Sequence, residues 1–357
     1  MQGKMKAYVF EAANRAAVRD VPIPEISDDE VLIKIKACGI CHTDLMVLTG
    51  VNIVPVPFPF IGGHEWSGEV VRAGANVITF KPGDRVVGEG NSGCGSCKAC
   101  QEGKQDYCSV APVQRGINCD GAMAEYYRTL PRLLHKIPES MDWKTASMIE
   151  PFSIAYNGIH SIGGCDAADT VVVQGGGSIG LCAVAAAKAM GARVMCVEPL
   201  EYRRKAAIAM KADYVIDPVN EDAVKTVNGL TDGYGADLVV EASGSSGSYR
   251  QSLDFVRNNG RISYLGVNVG VEIPVEIGKI QMWGLRAQGY LGSPGIWGRV
   301  ITFIERGGID LSPISTQQYP LARAHEAFEF ARNINDNELI KVTLLMDQEV
   351  RHVNHKA

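Results

Sequence analysis

The spacing of apolar and polar positions changes character twice along this chain. Up to about residue 150, short runs rich in Val, Ile and Leu, such as EVLIKIKACG (30–39), GEVVRAG (68–74) and DRVVGEG (84–90), are broken by Gly and Pro. Such runs between breakers predict strands joined by loops, so this part reads as β-rich, with loops able to carry a site. From about 170 to 290 the rhythm becomes TVVVQ, SIGLCAVAAAKAMG, RVMCVEP, EYRRKAAIAMKA, DYVIDP, ADLVVEAS, GSYRQSLDFVRNNG and RISYLGV. Apolar strands alternating with helical stretches predict βαβ units and a doubly wound parallel sheet, an α/β fold. After about 294 come a helix, PGIWGRVITFIERGG, a second helix, LARAHEAFEFARN, and a closing strand, KVTLLM, expected to return to the first domain. The last residues, DQEVRHVNHKA, are polar and expected to fray.

A length of 357 residues favours two domains, each large enough for its own core. A net charge of −5 gives no electrostatic reason to expect nucleic acid or an anionic membrane as partner, which leaves a small molecule. The start, MQGKMKAYVFEAANRAAV, has no apolar leader core, and no later run approaches the roughly 18 apolar residues of a membrane span. A cytoplasmic protein is expected. In a reducing compartment ten cysteines are not expected to pair as disulfides, and a tight group of four points to metal.

In VVVQGGGSIGLCAVAAAKAMGARVMCVEP, Gly175, Gly177 and Gly180 form a G-x-G-x-x-G array between an apolar strand and an Ala-rich helix. The first glycine permits a tight turn, the second lets backbone amides approach a pyrophosphate, and the third allows close helix-to-strand packing. Ser178 and Ile179 complete the turn at the helix N-terminus, whose partial positive charge suits an anion. Glu198, at the end of the next strand, can accept hydrogen bonds from the adenosine ribose and would repel a 2′-phosphate, which favours NAD. Arg203 and Arg204 follow closely and weaken that exclusion. Without the strand, helix and acid around it, a Gly-rich turn would more simply join strand to helix.

CGSCKACQEGKQDYC (94–108) places Cys94, Cys97, Cys100 and Cys108 in a loop, with Gly93, Gly95 and Gly103 to make its turns. Four thiolates around Zn²⁺ fill a tetrahedron and make a structural site; an iron–sulfur cluster is the rival occupant. A second, dispersed set comprises Cys38 and Cys41, His64 and Glu65, and Glu150. Mixed Cys, His and carboxylate donors leave room for water or substrate, as a catalytic zinc requires. Any one of these residues alone would more simply be a packed thiol or a solvated acid.

Together the run GICHTD, the block GHEWSGEV, the four-cysteine lobe, the Gly-rich turn and IKVTLLM resemble the zinc-dependent medium-chain alcohol dehydrogenases over nearly the whole chain. The resemblance implies a GroES-like catalytic domain (1–153) with a structural zinc lobe (90–110), a Rossmann NAD-binding domain (154–293) and a C-terminal return (294–357). It makes Cys41 and His64 catalytic zinc ligands, with Glu65 as ligand or near neighbour and Glu150 at the remaining protein position. Glu150 and Pro151 resemble the polyol (sorbitol) and threonine dehydrogenase branch, where other members have Cys. Thr43 matches the hydroxyl that meets the substrate oxygen, His42 a position facing the cofactor pyrophosphate, and Arg203 joins the cofactor contacts. Met46 stands where many relatives end a proton relay with His, and a thioether carries no proton. Two zinc ions per chain and NAD follow, with hydride transfer to or from a secondary alcohol, of a polyol or sugar-derived kind. A threonine 3-dehydrogenase-like activity on an amino alcohol, and a non-catalytic zinc- and NAD-binding protein of the same fold, are the alternatives. A homodimer or homotetramer is implied.

Overall fold

The computed structural model describes residues 3–51, 55–110, 112–333 and 338–346. The polar end expected to fray, 347–357, lies outside the described residues. Contacts divide the chain into two compact units, Met1–Glu150 with Ser315–Ala357, and Pro151–Ile314.

The first unit is built on a seven-stranded sheet. Its strands run Ser315–Pro320, Lys341–Leu345, Val31–Ile40, Glu65–Ala73, Arg85–Gly88 and Leu134–Lys136, with Tyr126–Thr129 also pairing to Val31–Ile40. A smaller sheet joins Arg15–Pro22, Lys4–Ala12 and Phe60–Ile61. Val31–Ile40 is buried on both faces at most positions, which explains its near-continuous apolar run. It pairs antiparallel with Lys341–Leu345 on one side, Thr343 opposite Gly39, and with Glu65–Ala73 on the other, Gly39 opposite Glu65. Three distant stretches of sequence thus meet at Gly39. A Cβ there would stand 2.3 Å from Glu65 Oε2, so only glycine leaves room for that carboxylate. Tyr8, Phe10, Phe60 and Phe328 pack ring against ring in the core beneath.

The second unit carries a six-stranded, wholly parallel sheet in the order Tyr214–Ile216, Arg193–Val197, Thr170–Gln174, Ala236–Glu241, Val256–Tyr264 and Arg286–Gly289. This is the expected doubly wound α/β arrangement. The Ala-rich helix Ser178–Ala189 is buried from Gly180 to Ala187 because its small side chains let it sit close to the sheet. Three boundaries differ from the sequence reading. The stretch 247–260 is not helical throughout: the helix Ser246–Phe255 gives way directly to the strand Val256–Tyr264, with Asn259 at φ 57 making the local bend. The C-terminal return begins at Ser315, not 294, and the first unit ends at Glu150, not 153. The helix Trp297–Gly307 buries Trp297, Val300, Ile301 and Ile304, and Arg299 donates to the Tyr156 hydroxyl at 2.9 Å, which keeps it in the second unit. Among the described residues no helix is long and apolar enough to cross a membrane.

Candidate metal and cofactor sites

Cys41 is the N-cap of the short helix His42–Leu48. Asp44 at the third helical position accepts a hydrogen bond from the Cys41 amide at 2.7 Å, closing a capping box that fixes the thiol at the helix entrance. His64 follows Gly63, whose φ of +97 is a conformation side chains rarely adopt, and where a Cβ would lie 2.6 Å from Met123 and 2.8 Å from the Cys38 sulfur. That glycine turn delivers His64 and Glu65 to the start of their strand. One ligand atom each of Cys41, His64 and Glu65 lies within 4.8 Å of the others. Cys38 stays out of the group, its thiol buried in the core. Glu150, in the first turn of the helix Ile149–Ser161, stands outside the three-residue group but within electrostatic reach of it.

Asp44 is fully buried, and its Oδ1 faces His64 Nδ1 at 3.4 Å. A carboxylate on Nδ1 turns Nε2 toward a metal and raises the basicity of the ring. Nothing in the sequence marked Asp44 for this position beyond its place at the end of the GICHTD run. Asp44→Asn keeps the cap and removes the charge; metal affinity at the Cys41 set is expected to fall about 10- to 100-fold, read by competition with a chelator.

The second residue missed from the sequence is Lys341. Its Nζ sits 2.8 Å from both Glu65 oxygens, and both side chains are almost wholly buried. Burial works against the ammonium charge, but Glu65, Cys41 and Glu150 hold its pKa well above the ordinary lysine range. For His64, burial again opposes charge, and Asp44 and Cys41 overcome it, so the imidazole pKa is raised. Glu150 is pushed up to about 7, first by burial, with His64 pulling it down and Glu65 pushing it further up. Three acids and a thiol crowd two bases, a pocket whose charge a divalent cation would balance.

The four lobe cysteines converge. Cys94 and Cys100 sulfurs are 4.0 Å apart, and those of Cys97 and Cys108 3.9 Å. Four sulfurs about 2.3 Å from one zinc would be separated by about 3.8 Å, so these spacings fit a single tetrahedral ion. All four sulfurs lie within 4.8 Å of one another, closer than the thiolates on different irons of a multi-iron cluster. The Ser96 and Cys97 amides bring Cys94 down to about 6. Cys97 ends at about 11: a Cys100 amide pulls it down, while burial and the neighbouring thiols push it higher. Gln105 and His135 both bond Glu89, at 3.0 and 2.9 Å, tying the lobe to the sheet beside it.

In the second unit, a Cβ on Gly180 would lie 1.8 Å from the Gly175 carbonyl oxygen, so helix and turn touch there as the motif requires. Gly177 is the N-cap of the helix Ser178–Ala189, and a Cβ on it would meet nothing within 4 Å. That open space lies where first-turn amides lack intrahelical partners, and a pyrophosphate fits such a place. His42 is exposed and Thr43 is half-buried, its hydroxyl 3.6 Å from the Cys41 sulfur, both in the first unit.

A β-rich unit holding one closed and one open metal set, followed by a parallel-sheet unit with a dinucleotide turn, defines a metal-dependent, nucleotide-linked oxidoreductase. Residues 27–139 match the alcohol dehydrogenase GroES-like domain, and residues 178–306 match the zinc-binding dehydrogenase domain. The chain is 34% identical to sorbitol dehydrogenase of Bacillus subtilis (strain 168) over 95% of its length and 96% of that protein. It is 38% identical to L-threonine 3-dehydrogenase of Bacillus licheniformis, covering 93% of this chain and 97% of that one. A zinc-binding dehydrogenase from Sinorhizobium meliloti 1021, solved bound to NADP, superposes with a TM-score of 0.90 at 31% identity, over 96% of this chain and 100% of that one. The chain therefore belongs to the zinc-dependent medium-chain alcohol dehydrogenase family, in its polyol and threonine dehydrogenase branch. It is an oxidoreductase of small-molecule alcohols that uses zinc and a nicotinamide dinucleotide.

Proposed function

We propose that this enzyme oxidises a secondary alcohol carrying a neighbouring polar group, a polyol or sugar-derived alcohol, with Cys41, His64 and Glu65 holding the catalytic zinc and Glu150 completing its surroundings. The observation that carries this reading is the gathering of one thiol, one imidazole and one carboxylate within 4.8 Å, with a second carboxylate, Glu150, close by. The sorbitol and threonine dehydrogenases among its relatives support the substrate class, and threonine-like amino alcohols are the second reading. Zinc bound there would supply a Lewis acid that makes the alcohol proton easier to remove. Asp44 would orient His64, Lys341 would position Glu65, and Thr43 would hydrogen-bond the substrate oxygen.

The proton then needs an acceptor that the Met46 position cannot provide. Glu150, with a pKa raised to about 7, would be half ionised near neutral pH and able to take it on a carboxylate oxygen. The sign follows: the acceptor is the carboxylate, so turnover should rise with pH through that region. In Glu150→Gln this limb should disappear and turnover should drop, while the lobe keeps its zinc. If metal content, rate and pH profile all match the parent, the role of Glu150 is wrong. Sorbitol, other polyols, inositols, threonine and simple secondary alcohols, each offered with NAD⁺ while nicotinamide absorbance is followed, test the substrate class. Preference for an isolated secondary alcohol over every polyol and amino alcohol would overturn it.

A further inference from the structure

We propose that an open pocket on the second unit binds a small organic phosphate, with Arg299 and Arg306 holding the phosphate and Phe303 and Tyr156 its apolar body. The pocket has a volume of about 650 Å³ and is lined by Tyr156 from one helix and by Gly298, Arg299, Thr302, Phe303 and Arg306 from another, all within Pro151–Ile314. Arg299, Phe303 and Arg306 recur at the four- and three-residue spacing of a single helix face, turned away from the face that buries Val300, Ile301 and Ile304. Tyr156 follows Glu150 by six residues on the helix Ile149–Ser161, which places it about 120° around the axis from that carboxylate. The pocket therefore opens on a different face from the one Glu150 turns toward the metal set.

No carboxylate answers the charge of these two arginines. Arg323 and Arg332 each pair with a glutamate three residues away, at 2.5 and 2.9 Å. Between Arg299 and Arg306 the corresponding positions are taken by Thr302 and Phe303. Asp310, four residues past Arg306, lies beyond the left-handed turn at Gly308 and accepts from the Ser312 amide at 2.8 Å instead. Among the described residues neither arginine has an acidic partner, and no acid lines the pocket. Arg299 is also held in place. Its Nε donates to the Tyr156 hydroxyl at 2.9 Å, and that buried ring stacks on His160 and packs against Phe303 with centroids 4.8 Å apart. The two Nη groups are left without a protein partner among the described residues. The cation is felt at His160, whose pKa is lowered first by burial and then by Arg299. A phosphate has oxygens enough to accept from two guanidinium forks at once, whereas a carboxylate gives both of its oxygens to one. The half-buried Phe303 ring beside them offers an apolar surface to the rest of the ligand. Gly298 leaves room for it, since even a Cβ there would meet nothing within 4 Å.

Calorimetric titration of phenyl phosphate into the full, zinc-loaded chain tests this, with NAD⁺ saturating so that the dinucleotide turn is already filled. One molecule is expected to bind per chain, about tenfold more tightly than inorganic phosphate, the ring supplying the difference. Arg299→Ala and Arg306→Ala should each weaken phenyl phosphate about tenfold, the loss of a charge-assisted hydrogen bond. Arg306→Lys, which keeps the charge without the fork, should recover part of that loss. Phe303→Leu should weaken phenyl phosphate and leave inorganic phosphate unchanged. Neither arginine belongs to the metal set or the dinucleotide turn, so alcohol turnover by both alanine variants should match the parent's and show that they are folded. No saturable binding to the parent chain at about 10 mM, or unchanged binding in the Arg299→Ala, Arg306→Ala double variant, overturns the proposal. Competition between phenyl phosphate and the alcohol, seen as a raised KM with kcat unaltered, would also overturn it by placing the ligand in the reaction site.

Discussion

Replacing His64 by Ala is expected to lower turnover of any accepted alcohol by about a thousandfold, an amount in keeping with loss of a metal's charge stabilisation, about 4 kcal/mol. Zinc content should fall from two ions per chain to one. Of the gathered donors, His64 supplies the single imidazole, and Asp44 behind it faces its Nδ1 while also accepting from the Cys41 amide. With His64 gone, Cys41 and Glu65 remain, and Glu65 is already shared with Lys341. Cys100→Ser gives the contrasting result. It removes one of four converging sulfurs, so the zinc lost should be that of the lobe, with thermal stability reduced and turnover of the surviving folded protein little changed. Metal analysis and kinetics on both variants separate the open site from the closed one. A His64→Ala protein retaining two zinc ions and a tenth or so of parental turnover would show that the chemistry lies elsewhere.

The contrast between these variants also marks what could be read from the sequence. Cys94, Cys97, Cys100 and Cys108 are neighbours in the chain, so their spacing alone announces a metal lobe, and the structure brings their sulfurs together. The glycine turn was legible for the same reason: strand, turn and helix are consecutive, and the turn's demands fall on residues a few positions apart. The open set is held together by sheet pairing between strands far apart in the chain, with Gly39 as the shared partner of Thr343 and Glu65. Only the resemblance connected those pieces. Lys341 illustrates what was lost. It sits in the quoted IKVTLLM stretch, where a charge beside an apolar strand was a signal, but its partner lies 276 positions away. Glu198 shows what position alone leaves out: beside the ribose contact expected of it, its two oxygens accept from the Gly176 and Leu200 amides and brace the turn. The helix at 297 went to the wrong domain because periodicity identifies the buried face of a helix without naming what covers it.

Lys341→Met should be the most destabilising single change near the site. Both members of its pair with Glu65 are almost fully buried, and Glu65 takes both of its oxygens to the same ammonium group. Removing one partner strands the other's charge in a medium that solvates it poorly, a loss of about 3–5 kcal/mol. The apolar replacement fills similar volume, so the effect is electrostatic and should be reversible by removing the stranded charge: Lys341→Met with Glu65→Gln should regain a large part of the lost stability. Zinc adds a further discriminating condition. If Glu65 faces the metal as well as Lys341, the bound ion can compensate the carboxylate when the lysine is gone, and Lys341→Met should lose less stability zinc-loaded than metal-free. Denaturant unfolding of the parent, the two single variants and the double variant, each with and without zinc, measures the coupling directly. A coupling that is the same with and without the ion would mean that Glu65 belongs to the lysine alone, and that the catalytic zinc is held by Cys41, His64 and a donor other than Glu65.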